Sequence, residues 1–166
     1  MRKSLLLLLL TASIFISCQQ EQDPFLITAT SIGKLTKDVQ IKQLDSVFAQ
    51  DSIVKQVNEG ELYKRNNEIE VYDKDGKKLL LLEPVQAFDS TSTVGFIQVL
   101  DPRFKTAKGL NTESTFKEIV ENYNVSRIEN TLSAAVIFID DLNIYVTRDK
   151  QHLPAELRYD SKTHLQ

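Results

Sequence analysis

An apolar run opens the chain and bounds what the rest can be. Behind the basic pair Arg2 and Lys3, Leu5 to Leu10 is unbroken leucine, and Ala12, Ile14, Phe15 and Ile16 extend the run to about twelve residues. A helix needs roughly 20 apolar residues to cross a bilayer, so this stretch is too short for an ordinary span. A short apolar core behind a basic start has the form of a secretory leader, over residues 1–17. No later stretch approaches spanning length; Leu79 to Leu82 and Ala134 to Ile139 are strand-sized. The fold is therefore expected in the remaining chain, long enough for one sizeable core. With 42% hydrophobic residues and only 5 Gly and 4 Pro, the composition is that of a globular domain. A formal charge of −3 gives no electrostatic case for nucleic acid, and loss of Arg2 and Lys3 with the leader makes the chain more acidic.

The leader ends at Ser17-Cys18, and Cys18 is the single cysteine. Three readings compete: a buried thiol, a disulfide to another chain, and a lipidation site. The flanks are a leader and a polar stretch, which disfavours a buried thiol, and a disulfide has no partner within the chain. Ile14-Phe15-Ile16-Ser17-Cys18 resembles the lipobox of bacterial lipoproteins. Ser17 matches the small residue before the cysteine, while Phe15 stands where Leu, Val or Ile is usual. The resemblance implies a diacylglycerol thioether on Cys18, cleavage just before it and acylation of the new amino group. Two or three acyl chains hold firmly where one holds marginally, at about 0.8 kcal/mol per buried CH₂. Residues 18–24 then form a lipidated cysteine and a polar tether. Gln19 does not resemble the aspartate that retains many such proteins in the inner membrane, so the resemblance implies the outer membrane. Glu21 and Asp23 fit a surface-export signal and equally a solvated linker, which leaves periplasmic and surface-exposed sides both open.

From residue 25 to 148 the pattern predicts one α+β domain, a mainly antiparallel sheet with two helices on one face. Phe25 to Ile32 alternates as a strand broken by Gly33. Val39, Ile41, Leu44, Val47 and Phe48 fall at helical spacing behind Asp38, a candidate N-cap. Ser52 to Val57 reads as a strand ended by Gly60. Glu68 to Tyr72 and Lys77 to Glu83 form a hairpin around Asp73-Lys74-Asp75-Gly76. Thr93 to Leu100 follows as a strand. Ser114 or Thr115 caps a second helix, because Thr115-Phe116-Lys117-Glu118 has capping-box spacing. Phe116, Ile119, Val120 and Tyr123 supply its apolar stripe. Val125 to Glu129, Ala134 to Ile139 and Asn143 to Arg148 read as strands, with Asp140-Asp141 in the last turn. Residues 149–166 are polar. Ile41, Leu44 and Phe48 echo as Phe116, Ile119 and Tyr123, each helix preceding three strands; duplication and coincidence both account for this.

Sites of chemistry are scarce. His152 and His164 lie apart in the polar tail, and no zinc, P-loop, dinucleotide or nucleophile-elbow motif occurs. No catalytic residue, metal or cofactor is assigned. The turn at Asp73–Gly76 lacks the oxygen ligands of a calcium loop. The loop Asp101-Pro102-Arg103-Phe104-Lys105-Thr106-Ala107-Lys108-Gly109 is the interaction candidate, with Arg103, Phe104, Lys105 and Lys108 facing an anionic partner such as lipid headgroups. The same residues also fit a solvated connection with Phe104 in the core. From Phe96 to Tyr123 the order of strand, Pro-Arg-Phe loop, glycine and Thr-capped helix resembles small envelope lipoproteins of unknown function. The helix-plus-strands unit is similar to small lipoproteins of outer-membrane assembly and to the β-lactamase-inhibitor-like fold, which bind proteins through sheet surfaces. The expected function is therefore a non-catalytic, membrane-anchored envelope lipoprotein that binds a protein or envelope component. The alternative is a small envelope hydrolase or ligand-binding enzyme.

Overall fold

The turn at Asp73–Gly76 shows how short-range chemistry builds this chain. In the computed structural model, which describes residues 23–55 and 67–152, Asp73 Oδ1 accepts the N–H groups of Asp75 and Lys77, both at 3.0 Å. The Asp73 amide donates to the Lys77 carbonyl, and Gly76 sits at φ +78°, where a side chain is strained. This turn joins β5 (Ile69–Tyr72) to β6 (Lys78–Pro84). β4 (Ser52–Lys55) flanks β5, and β7 (Val94–Val99) flanks β6, so β4-β5-β6-β7 form an antiparallel sheet. Residues 56, 57 and 60, part of the expected β4 and its end, lie outside the described residues.

The stretch expected as one strand, Phe25 to Ile32, is instead folded back on itself. β1 (Leu26–Ile27), β2 (Ser31–Ile32) and β3 (Leu35–Thr36) are three short antiparallel strands. The bend comes from Thr28, whose hydroxyl accepts the amides of Thr30 (3.2 Å) and Ser31 (3.0 Å). Such a side-chain bond offers the backbone an alternative to extended pairing. Gly33 then turns β2 into β3 at φ +56°. A Cβ there would stand 2.1 Å from the Pro24 carbonyl oxygen, so no side chain fits. β8 (Lys105–Thr106) joins β1 in parallel, giving the order β3-β2-β1-β8.

The first helix is shorter than its pattern. A 3₁₀ turn, Ile41–Gln43, runs into α1 (Leu44–Val47). Gln40, not Asp38, starts it: Gln40 bridges Thr93, and the Ile41 and Lys42 amides donate to the carbonyls of Ser92 and Ser90, each at 2.9 Å. Of the apolar residues the spacing selected, Ile41, Leu44 and Phe48 are nevertheless buried, and Val39 and Val47 are half-buried against the same cluster. The second helix, α2 (Phe116–Asn122), follows its sequence. Thr115 is the N-cap, its hydroxyl accepts the Glu118 amide, and Glu118 reciprocates on the Thr115 amide at 2.7 Å. β9 (Arg127–Asn130), β10 (Ala134–Ile139) and β11 (Ile144–Asp149) complete an antiparallel sheet ordered β11-β10-β9. Asp140–Leu142 forms the 3₁₀ turn between β10 and β11, closed by Asn143 in a left-handed conformation.

The described strands thus divide among three sheets, and the core divides in two. Leu44, Phe48, Val71, Leu80, Leu82 and Phe104 belong to one buried cluster. Ile119, Ile128, Ala135, Ile137 and Ile139 belong to the other. Each helix packs with the meander that follows it. No helix among the described residues is long and apolar enough to cross a membrane. Leu44 is fully buried, whereas Leu132 is 102% exposed. In urea unfolding, Leu44→Ala is expected to cost about 2–5 kcal/mol, the range for large-to-small core changes. Leu132→Ala should stay within about 0.5 kcal/mol of the parent. Equal effects would show that the described packing is wrong.

Candidate functional site

The loop chosen from the sequence is organised around a residue the sequence reading passed over. Asp101 is 0% exposed. Its Oδ1 accepts the Arg103 amide (2.8 Å) and Nε (2.9 Å), and its Oδ2 accepts Arg103 Nη2 (3.0 Å) and Lys77 Nζ (2.9 Å). A buried charge persists only when paired and hydrogen-bonded in this way. The Arg103 bonds hold the Asp101 carboxyl far below the ordinary carboxylate range, against the opposing effect of burial. Arg103 also donates to Asp73 Oδ2 at 2.6 Å, which lowers the Asp73 carboxyl, and lies 5.0 Å over the Phe25 ring. One guanidinium therefore ties the loop to the β5–β6 turn and to the start of the fold.

The remaining loop residues part company. Phe104 is buried, edge-on to Phe25 at 5.0 Å, so its ring is core and not contact surface. Arg103 is 44% exposed, but its donors are committed to Asp101 and Asp73. Lys108 donates to the Asn122 carbonyl at the end of α2 (2.8 Å) and lies over the Tyr123 ring. It borders a polar pocket of about 340 Å³ that also touches Asn111 and Glu118. Lys105 is exposed on β8. The four residues do not form one contact surface. Cys18 and His164 lie outside the described residues. Among those residues, no three His, Cys, Asp or Glu side chains gather as a metal site.

A larger feature lies between the two cores. A cleft of about 580 Å³ is bordered by β2 and β3, by β7 and by β11. This volume is within the range of ligand sites. The rings of Phe96 on β7 and Tyr145 on β11 stack across it with centroids 6.0 Å apart. Its side chains are apolar or hydroxyl-bearing for the most part, with Lys37 and Arg148 as the cations and no carboxylate. Arg148 donates to the backbone carbonyls of Thr112 (2.9 Å) and Ser114, and its buried Nε has no partner. Burial pulls the Arg148 guanidinium below its usual range. Arg148 ends the strand expected from Asn143 onward. Its even-numbered alternation with Ile144 and Val146, which places a cation on an apolar face, was the available signal.

Comparison with protein-family models, curated proteins and solved structures finds no match.

The ion pairs set an acid response. Asp101 has a carboxyl pKa depressed in the fold, so its contribution is complete above the unfolded value near 4 and is lost as pH falls below it. Asp101→Asn should cost about 3 kcal/mol at pH 7, the low end for breaking a buried pair, because Arg103 and Lys77 still reach water. The variant should also lose less stability than the parent between pH 5 and pH 2, read by urea unfolding at each pH. Parallel pH profiles would contradict this role for Asp101.

Proposed function

We propose that the chain is a lipid-anchored, non-catalytic protein of the cell envelope, held at the outer membrane by acyl chains on Cys18, which binds another envelope component through its folded part. The observation that carries the reading is the short distance between anchor and fold. Asp23 is already engaged: its carbonyl accepts the Leu26 amide at 3.2 Å and its carboxylate the Phe25 amide at 2.9 Å. Five residues of extended chain span at most about 18 Å, so the fold is kept close to the surface that holds Cys18. The Lys105 amide donates to the Phe25 carbonyl, which puts an exposed lysine beside the tether. A basic residue beside an acyl anchor adds attraction to anionic headgroups.

The cleft supports the binding part of the reading, being concave and lined by apolar side chains interleaved with hydroxyl, amide and cationic ones. The buried carboxylate of the loop, Asp101, is fully paired and serves the fold. The helix-then-meander units, α1 with β4–β7 and α2 with β9–β11, support an origin by duplication within a single domain over residues 25–148.

The test is metabolic labelling with palmitate followed by density-gradient separation of inner and outer membranes. The full chain is expected to carry label and to follow the outer membrane. Cys18→Ser should lose the label and leave the membrane fractions. An unlabelled parent chain, or membrane association unaffected by Cys18→Ser, would overturn the anchor.

A further inference from the structure

Two sheet edges face each other across the cleft. β7 is the last strand of its sheet and β11 the last of the other, and each pairs on one side only among the described residues. The direction of the spare backbone groups follows from the ladders. Leu100 donates to the Leu79 carbonyl at 3.0 Å, and pairing alternates along an antiparallel strand. Gln98 and Phe96 therefore bond to β6, while the N–H and C=O groups of Ile97 and Val99 point away from it. Lys150 donates to Ser133 at 3.2 Å, so Arg148, Val146 and Ile144 bond to β10. Tyr145 and Thr147 then direct theirs outward. All four outward-facing residues border the cleft. No backbone hydrogen bond joins β7 to β11 among the described residues; rings, not backbones, meet across the gap.

The β7 edge is bulged at its start, where Gly95 is the extra residue opposite Glu83 and Pro84, and is open from Phe96 onward among the described residues. Natural sheets protect free edges with charges, prolines or bulges. Val94-Gly95-Phe96-Ile97-Gln98-Val99 contains no charge and no proline. β7 and β11 are six residues each, about 20 Å of strand. The surroundings select the charge of whatever fills the gap. The cleft has Lys37 and Arg148 and no acidic side chain, on a chain with an acidic balance, and neither cation has a carboxylate partner among the described residues.

We infer that the cleft takes an extended, acidic peptide segment of another protein, which adds as a strand between β7 and β11 and presents carboxylates to Lys37 and Arg148. Main-chain bonds to two edges supply affinity, and the cations select sequence. This rests on the reading of the chain as a binding protein, and it names the partner's chemistry.

The test uses the full-length protein in a neutral detergent and a fluorescent octapeptide of alternating valine and threonine with glutamate at both ends, followed by anisotropy. Saturable binding is expected. Lysine in place of both glutamates should weaken it at least tenfold, as should N-methylation of alternate peptide amides, which removes donors without touching the protein. Thr147→Pro deletes an outward N–H and leaves the β10 ladder intact; it should weaken binding at least tenfold with the melting temperature within a few degrees. Arg148→Gln should reduce the preference for glutamate over lysine. No binding, or binding indifferent to N-methylation, overturns the proposal. Displacement of the peptide by sodium dodecanoate, with dodecanoate itself insensitive to Thr147→Pro, assigns the cleft to a lipid and also overturns it. Binding that emerges only when residues 153–166 are removed assigns the cleft to the chain's own end, with the same consequence. Because the binding is read in vitro, its failure beside intact outer-membrane fractionation condemns the peptide site and leaves the anchor standing.

Discussion

A single carboxylate with no exposure to water holds the first half of the molecule in register. Asp101 lies just beyond the end of β7, and its four bonds reach Arg103 and Lys77. Through Arg103 the same network reaches the β5–β6 turn at Asp73 and the ring of Phe25. Three segments distant in sequence are thereby fixed against one another. A buried ion pair of this kind adds little against an apolar substitute of the same shape, yet removing one partner is expensive. Its effect here is positional. It sets where Phe104 enters the core and where β8 meets β1, and so where the chain leaves the fold toward Cys18.

Each helix covers the meander that follows it, and each meander ends on a strand that pairs on one side only among the described residues. Contacts between the halves are few in kind: the Phe96–Tyr145 stack, the hydroxyl pair of Thr106 and Tyr123, and Lys108 on the end of α2. The β7 and β11 strands both border the cleft, where the Phe96 and Tyr145 rings meet.

The sequence was readable wherever a few neighbouring residues decide the outcome. Asp73 with Gly76 writes a turn, and Thr115 with Glu118 writes a helix start, because donors and acceptors lie within four positions. Ala134 to Ile139 is a strand at the residues its short apolar run selected. The failures have distant causes in some places and, in others, a local side-chain bond that periodicity does not encode. Ile41 begins its helix because the carbonyls of Ser92 and Ser90 take the amides of Ile41 and Lys42. Phe25 to Ile32 is cut by a threonine hydroxyl that competes with the ladder. The division into three sheets depends on which edges meet, a matter that periodicity within a strand does not encode. The loop from Asp101 to Gly109 draws notice by its cations, but the carboxylate that claims Arg103 stands two residues away. Arg148 and the cleft arise from strand placement alone.

The central claim is that β7 and β11 present unpaired edges to one gap. Amide hydrogen exchange, resolved residue by residue, tests it most directly, since a bonded ladder amide exchanges only on opening. The amides of Gln98, Val146 and Arg148 should exchange slowly, and those of Ile97, Val99, Tyr145 and Thr147 should exchange fast in the protein alone. Uniform protection along both strands would mean that the edges are already paired, and the account would be wrong.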